Sequence, residues 1–304
     1  MPFPQYIVVT PTKDEERTIG ETIESMVRQT ICPVRWVIVS DGSIDGTDMI
    51  VTEAAQDHPW IQLVQRPTRK ERSFKAVVEA TEIGIAEVAG LDYQFVGLLD
   101  SDVRFERDYF EEVLKRFAKR PRLGLGGGMA VDVGLPRDKL PRNRMDVPGA
   151  VQFFTRECFE SLGGLLAIPE GGWDMLTCAQ ARANGFETEL FVDLVVDHLK
   201  PRNSGEGGVL RRAWQLGVRD YALGYQPLVE AFKCFDRLFE RPILVGSMAR
   251  AVGFGISWLK RRPQAIPDEL LRFIRAEHSA RLHEAFGFAK RSIVAPPEVR
   301  PNDS

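Results

Sequence analysis

Short apolar, β-branched runs alternate with helical patterns through the first hundred residues, and this alternation constrains the fold more than any other feature of the chain. Tyr6-Ile7-Val8-Val9-Thr10 and Trp36-Val37-Ile38-Val39 read as strands, as do Ile61-Gln62-Leu63-Val64 and Phe95-Val96-Gly97-Leu98-Leu99. Between them, residues 17–30 place Ile19, Ile23, Met26 and Val27 on one helical face. A second helix carries Met49, Ile50 and Ala54, and a third presents Phe74, Val77, Val78, Thr81 and Ile85. Such alternation predicts an α/β fold with a mostly parallel central sheet and helices on both faces. Ligands of such sheets sit beyond the carboxyl ends of the strands. The polar clusters of this chain fall at that edge.

Further along, residues 107–120 read as a helix, 124–128 are glycine-rich, and 134–148 form a Pro-, Arg- and Asp-rich loop. Loops of that length in compact domains are commonly functional. Helix and strand patterns return at 173–183 and 186–196, and from Gly205 the chain reads as all-helical. Two domains are expected, an α/β domain over 1–204 and a helical region over 205–304. Charge divides the same way. Residues 1–204 hold 24 Lys and Arg against 32 Asp and Glu, and residues 205–304 hold 16 against 11. The net charge of −3 argues against nucleic acid as a partner, while the basic C-terminal third suits an anionic surface. Four scattered cysteines without C-x-x-C spacing suggest a reducing compartment. Met1-Pro2-Phe3-Pro4-Gln5-Tyr6 lacks the pattern of a signal peptide, so a cytoplasmic location is expected.

Three clusters could carry chemistry. In Leu98-Leu99-Asp100-Ser101-Asp102 an apolar strand delivers two carboxylates at i and i+2, on one side of the pleat. Paired hard oxygen ligands suit Mg2+ or Mn2+ together with substrate phosphates, although Asp and Ser are also ordinary turn residues. Ser40-Asp41-Gly42-Ser43, continuing Ile44-Asp45-Gly46-Thr47, follows the second strand; Asp41 is placed to accept hydrogen bonds from a base or ribose. Thr47 or Asp48 is placed to cap the next helix. Thr10-Pro11-Thr12-Lys13-Asp14-Glu15-Glu16 ends the first strand, and its acids would complement a helix dipole.

In this order the three clusters resemble the family 2 glycosyltransferases, inverting enzymes with the GT-A fold, of the bacterial polysaccharide and glycolipid type. The resemblance covers roughly residues 6–204. It implies that Thr10, Thr12, Glu15, Asp41, Asp100 and Ser101 bind a nucleotide-diphosphate-sugar donor, and that Asp102 holds Mn2+ or Mg2+. Trp173-Asp174 stands where the family often has Glu-Asp, which makes Asp174 the general base. Trp173 then becomes an aromatic platform on the acceptor side, with Glu170 the substitute candidate for the base. His198, ending a strand at Val195-Val196-Asp197-His198, matches the family's late histidine and joins the metal. Gly149, in Val147-Pro148-Gly149-Ala150-Val151-Gln152, would let the backbone approach the donor sugar. Where the family has Gly-Lys, this chain has Arg72-Ser73-Phe74-Lys75, so Lys75 or Arg72 is expected at the pyrophosphate.

The helical third interleaves aromatics with arginines. Residues 243–259 are apolar apart from Ser247, Arg250 and Ser257, and are short for a bilayer span. They read either as a helix packed on the catalytic domain or as one lying in a membrane interface above Lys260-Arg261-Arg262. For the region as a whole, peripheral attachment to the cytosolic face of the membrane and a lipid-linked or saccharide acceptor are expected. Two other functions share parts of the pattern. A haloacid-dehalogenase-type phosphatase also places D-x-D after a strand, but leaves Asp41 and Asp174 without roles. A non-catalytic nucleotide-sugar-binding regulator would keep the donor pocket without turnover.

Overall fold

A computed structural model of the chain describes residues 3–67, 74–137, 140–141, 143–200, 208–238, 243–264 and 266–285. The chain divides into two compact units, residues 1–181 with 186–204, and residues 182–185 with 205–304.

The first unit is built on eight strands: β1 (Tyr6–Thr12), β2 (Arg35–Ser40), β3 (Ile61–Gln65), β4 (Phe95–Leu99), β5 (Val103–Phe105), β6 (Leu123–Asp132), β7 (Val151–Thr155) and β8 (Glu187–His198). Their order across the sheet is β3-β2-β1-β4-β7-β6-β8-β5. The first four run parallel, as the strand–helix alternation predicts. Beyond β4 the sheet is mixed: β7 is antiparallel to β4 and β6, β8 is parallel to β6, and β5 closes the edge antiparallel to β8.

Burial on both faces explains the unbroken apolar runs of β1 and β2. Tyr6, Val8, Trp36 and Ile38 enter one core with α1 (Ile19–Val27), α2 (Thr47–Asp57) and α4 (Tyr109–Lys119). Ile7, Val9, Val37 and Val39 enter the other with α3 (Phe74–Ala86), α5 (Arg156–Ser161) and α6 (Trp173–Ala183). Alternate side chains therefore serve opposite cores. Met49 is an exception to the expected apolar faces: it is exposed, and Val51 is the fully buried apolar residue of α2.

The glycine-rich stretch, where the sequence changes texture, is the middle of the ten-residue β6. A Cβ on Gly127 would stand 2.1 Å from the Val151 carbonyl oxygen, and one on Gly128 2.4 Å from that of Leu194. Larger residues would force neighbouring backbone away.

The second unit is helical, with α7 (Gly208–Ala222), α8 (Pro227–Asp236), α9 (Val245–Leu259) and α10 (Asp268–Ala285). Helices α7 and α9 cross backbone to backbone: a Cβ on Gly217 would meet the Arg250 carbonyl oxygen at 1.9 Å, and one on Gly253 that of Trp214 at 2.2 Å. Among the described residues of this unit, Asp220, Glu230 and Arg250 are buried and Lys233 lies half-buried beside them. Arg250 bonds Glu230 at 2.8 Å and also Asp220, which pairs with Lys233 at 2.7 Å.

Candidate active site

Sheet register brings the expected metal ligands together. Asp100 and Asp102 occupy the turn between β4 and β5, and β5 pairs with the last residues of β8 so that Val103 lies opposite His198. The imidazole therefore arrives beside both carboxylates: His198 Nε2 is 3.6 Å from Asp102 Oδ1 and 4.0 Å from Asp100 Oδ2. Nδ1 of the same ring lies 2.5 Å from the Lys200 carbonyl oxygen. A carbonyl only accepts, so Nδ1 carries a proton, and Nε2 faces the carboxylates.

One ligand atom from each residue lies within 4.8 Å of the others. Three potential ligands converge there, which is an arrangement a divalent cation fits: bonds of about 2.1 Å put neighbouring ligands at comparable spacing. The electrostatics agree. Burial at the cleft floor, helped by the Asp102 charge and opposed by His198, pushes the Asp100 carboxyl up to about 7. Asp174 and Glu15 add to the rise, which places Asp174 within electrostatic reach of the pair. Burial also raises Asp102, opposed by His198. A site that crowds negative charge in this way favours a cation.

Thr22 on α1 holds this turn in place. Its buried hydroxyl lies 3.0 and 2.8 Å from the Ser101 and Val103 carbonyl oxygens and accepts the Val103 N–H at 3.1 Å.

A cleft of about 210 Å³ opens above the turn, lined by Thr12, Lys13, Glu15, Asp41, Asp100, Ser101 and Asp102, with Ala76, Val77 and Ala80 of α3 as an apolar wall. Thr12 Oγ1 is buried there without a hydrogen-bond partner among the described residues. Glu15 accepts from Thr18 at 2.8 Å and pairs with Lys200. Asp41 is buried and ion-paired with Arg66 at 2.9 Å; Arg66 also holds Glu79 at 3.0 Å.

Some expected site residues lie elsewhere. Thr10 is fully buried under the sheet, its hydroxyl accepting the Trp36 indole N–H at 2.8 Å. Lys75 is exposed, 3.7 Å from Glu79, and does not line the cleft. Arg72 lies outside the described residues. The caps and acids near α1 and α2 also differ from expectation. Asp45 accepts the Thr47 N–H at 3.0 Å, Thr47 Oγ1 accepts the Glu15 N–H at 2.7 Å, and Glu16 accepts the Gly46 N–H at 2.9 Å. These bonds staple the loops after β1 and β2 together, so neither Thr47 nor Asp48 caps α2 and Glu16 does more than complement a dipole.

Asp174 opens α6 behind Gly171 and Gly172, both at positive φ. Its Oδ2 accepts the Gly149 N–H at 3.2 Å and its Oδ1 the Met175 N–H at 3.0 Å. Gly149 is required here for a reason the sequence did not show: a Cβ would strike the Trp173 ring at 2.7 Å. Trp173 is half-buried against the core, and Glu170 sits half-buried in the preceding turn. Gln152 donates to the Val147 and Asp174 carbonyls at 3.0 Å each, fixing the start of α6. A second cavity, about 420 Å³, borders Asp174. Its walls are mainly apolar, from Met129, Val131, Leu135, Pro136, Val147, Met175 and Leu190, with Asp132 and Asp146 among them.

Comparison with known proteins bears on this arrangement. A model described as glycosyl transferase family 2 matches residues 7–170, more than half of the chain. Beta-monoglucosyldiacylglycerol synthase of Synechocystis sp. is 23% identical over 187 residues, covering 54% of this chain and 37% of that protein. The match thus spans little more than a third of that relative. Among solved structures, the chain is similar to a mannosyltransferase from Pyrobaculum calidifontis in complex with GDP-Man and Mn2+, with TM-score 0.56 and 19% identity over 95% of this chain and 83% of that one. It is also similar to residues 1–349 of TarS from S. aureus in complex with UDP-GlcNAc, with TM-score 0.54 and 13% identity over 95% and 94% of the chains. At these identities the likeness to the solved structures is one of fold.

Proposed function

The chain belongs to glycosyl transferase family 2, and from that premise we propose that it moves a sugar from a nucleotide-diphosphate donor to an acceptor hydroxyl with inversion at the anomeric carbon. The observation that carries this reading is the convergence of Asp100, Asp102 and His198 at a strand end, within electrostatic reach of Asp174.

The chain's own groups divide the work. Thr12 and Asp41 line the cleft and would bind the nucleoside, while Ser101 and Asp100 border the diphosphate. Asp102 and His198 would hold Mn2+ or Mg2+, which when bound would neutralise charge on the leaving diphosphate. Asp174 would remove the proton from the acceptor hydroxyl as it attacks the anomeric carbon. The helix N-terminus and the Gly149 N–H favour its ionised form, the form a base needs. Because the attacking oxygen enters opposite the leaving diphosphate, one displacement inverts the centre. Trp173 would support the acceptor side through its packing under Gly149.

The apolar cavity beside Asp174 supports an acceptor with an apolar portion, such as a lipid-linked one, and the Synechocystis relative is named for a glucosyl lipid. On this reading the protein works in the cytoplasm, at the cytosolic face of a membrane. The regulator reading draws on Trp173 standing where the family often has an acid. Turnover separates the two: release of nucleoside diphosphate from a panel of nucleotide-sugars with Mn2+ and a lipid acceptor supports the transferase. Donor binding without release in every combination would favour the regulator.

A further inference from the structure

Helix α9 has its polarity inside out. Its buried side carries Ser247, Arg250 and Ser257 beside Gly253 and Phe254. Its exposed side carries Val245, Met248, Val252, Ile256 and Leu259, with Trp258 at 52% exposure. The spacing 245, 248, 252, 256, 259 is one helical stripe. Helix α8 shows the inversion in part: Glu230 is buried with Val229 and Cys234, while Leu228, Phe232 and Phe235, at i, i+4 and i+7, are exposed. Ion pairs join the inward charges of the two helices. Arg250 is held by Asp220 and Glu230, and Ser257 bonds the Gly253 carbonyl at 3.0 Å. A water-facing helix would carry these polar residues outward.

The charge pattern identifies what covers the stripe. Residues 243–262 contain no Asp or Glu, and α9 ends in the exposed Lys260, Arg261 and Arg262. None of these three has an acidic partner among the described residues. An apolar stripe bounded by a tryptophan and a basic cluster matches the boundary between acyl chains and anionic headgroups. The fifteen residues of α9 reach about 22 Å at 1.5 Å each, short of a hydrocarbon core of about 30 Å. No helix among the described residues is long and apolar enough to cross a membrane.

We propose that the outer faces of α8 and α9 form an in-plane membrane-docking surface, inserting their apolar stripes into one leaflet that carries anionic lipid. This deepens the membrane-borne acceptor reading by naming the docking surface and the lipid charge it requires. Docking itself needs no donor and no turnover, so the two can fail separately.

Sedimentation of the full chain with phosphatidylglycerol–phosphatidylcholine vesicles, without nucleotide, tests it. Binding is expected, with about 100-fold weaker association when Lys260, Arg261 and Arg262 are all replaced by Gln, since each contributes about fivefold near an anionic surface. Met248→Ser and Trp258→Ser are each expected to weaken binding roughly tenfold. Both positions are exposed, so unchanged circular-dichroism melting should accompany the loss. Equal binding to pure phosphatidylcholine would overturn the requirement for anionic lipid. A chain that ignores vesicles, and forms a dimer in light scattering that Met248→Ser dissociates, would overturn the proposal in favour of a second copy. Retained turnover on a water-soluble acceptor in a non-docking variant would leave the transferase reading standing.

Discussion

Asp174 takes two backbone N–H groups on its carboxylate, and this separates capping from catalysis by experiment. Asn caps a helix about as well as Asp. Here Asp174→Asn keeps one acceptor oxygen but turns its NH2 toward the other N–H, so it is expected to lose about 1 kcal/mol of stability and bind donor normally, with kcat down roughly 10²–10⁴ in single-turnover assays. Wild-type turnover would remove the base assignment and pass it to Glu170. Asp102→Asn should abolish the response to added Mn2+ in donor-binding titrations while leaving the fold intact; metal-stimulated binding in that variant would remove Asp102 as a ligand. Asp41 carries two roles that the sequence could not separate, because its partner Arg66 lies 25 positions away and is brought in by β3. Asp41→Ala is expected to raise the donor KM more than it lowers kcat. It should also cost about 2 kcal/mol of stability, since it strips a partner from a buried guanidinium that keeps Glu79. An unchanged melting curve would show the ion pair to be idle. Asp41, Asp100 and Asp102 could be read from strand-end position, whereas Asp174 opens a helix and was expected from the family resemblance. Arg66, Thr22 and Lys200 could be read from neither, because each reaches its place by folding from a distant element.

At the scale of elements, close backbone contacts take over from side-chain pattern. Gly127 in β6 leaves room for the Val151 carbonyl, and Gly127→Ala is expected to cost about 3 kcal/mol by forcing β6 and β7 apart. Chemical denaturation measures this, with Gly20→Ala as the control: that helical position meets nothing within 4 Å, and the change should stabilise by about 0.5–1 kcal/mol. Equal effects at the two positions would mean that β6 yields easily. The strands and helices of the first hundred residues were legible because each buries a periodic face. Strand β6 was not, since glycine carries no periodicity, and only the carbonyls of Val151 and Leu194 show why it is there. Residues 243–259 were expected either to pack on the catalytic domain or to lie in a membrane interface; Gly253 instead seats α9 on α7 within the helical unit, while the opposite stripe stays exposed.

For the whole molecule, buried charge in the helical unit sets a dependence on pH. Burial pushes the Glu230 carboxyl up to about 7, with the Asp220 charge adding to this and Arg250 opposing it. The folded chain thus binds this proton more tightly than the unfolded chain, whose Glu titrates near 4.5. The resulting stabilisation is fully present below about pH 4.5 and is lost as pH rises through 7. Asp220 is shifted down despite its burial, chiefly by Lys233 and Arg250, so its contribution fails only in stronger acid. His278, pushed down to about 4 by burial, acts in the opposite direction, so the test is the difference: in thermal melts between pH 5 and 8 the Glu230→Gln variant should gain in melting temperature relative to the wild type as pH rises, and parallel profiles would rule out this source. The sequence by itself determined the parallel half of the sheet, the strand ends that carry the acids and the helical character of the last third, because local periodicity encodes burial. Only the tertiary structure decided the antiparallel half, the orientation of the His198 ring, the Arg66 partner of Asp41 and the outward apolar stripes of α8 and α9. Those depend on register between distant strands and on buried ion pairing, which no local pattern specifies.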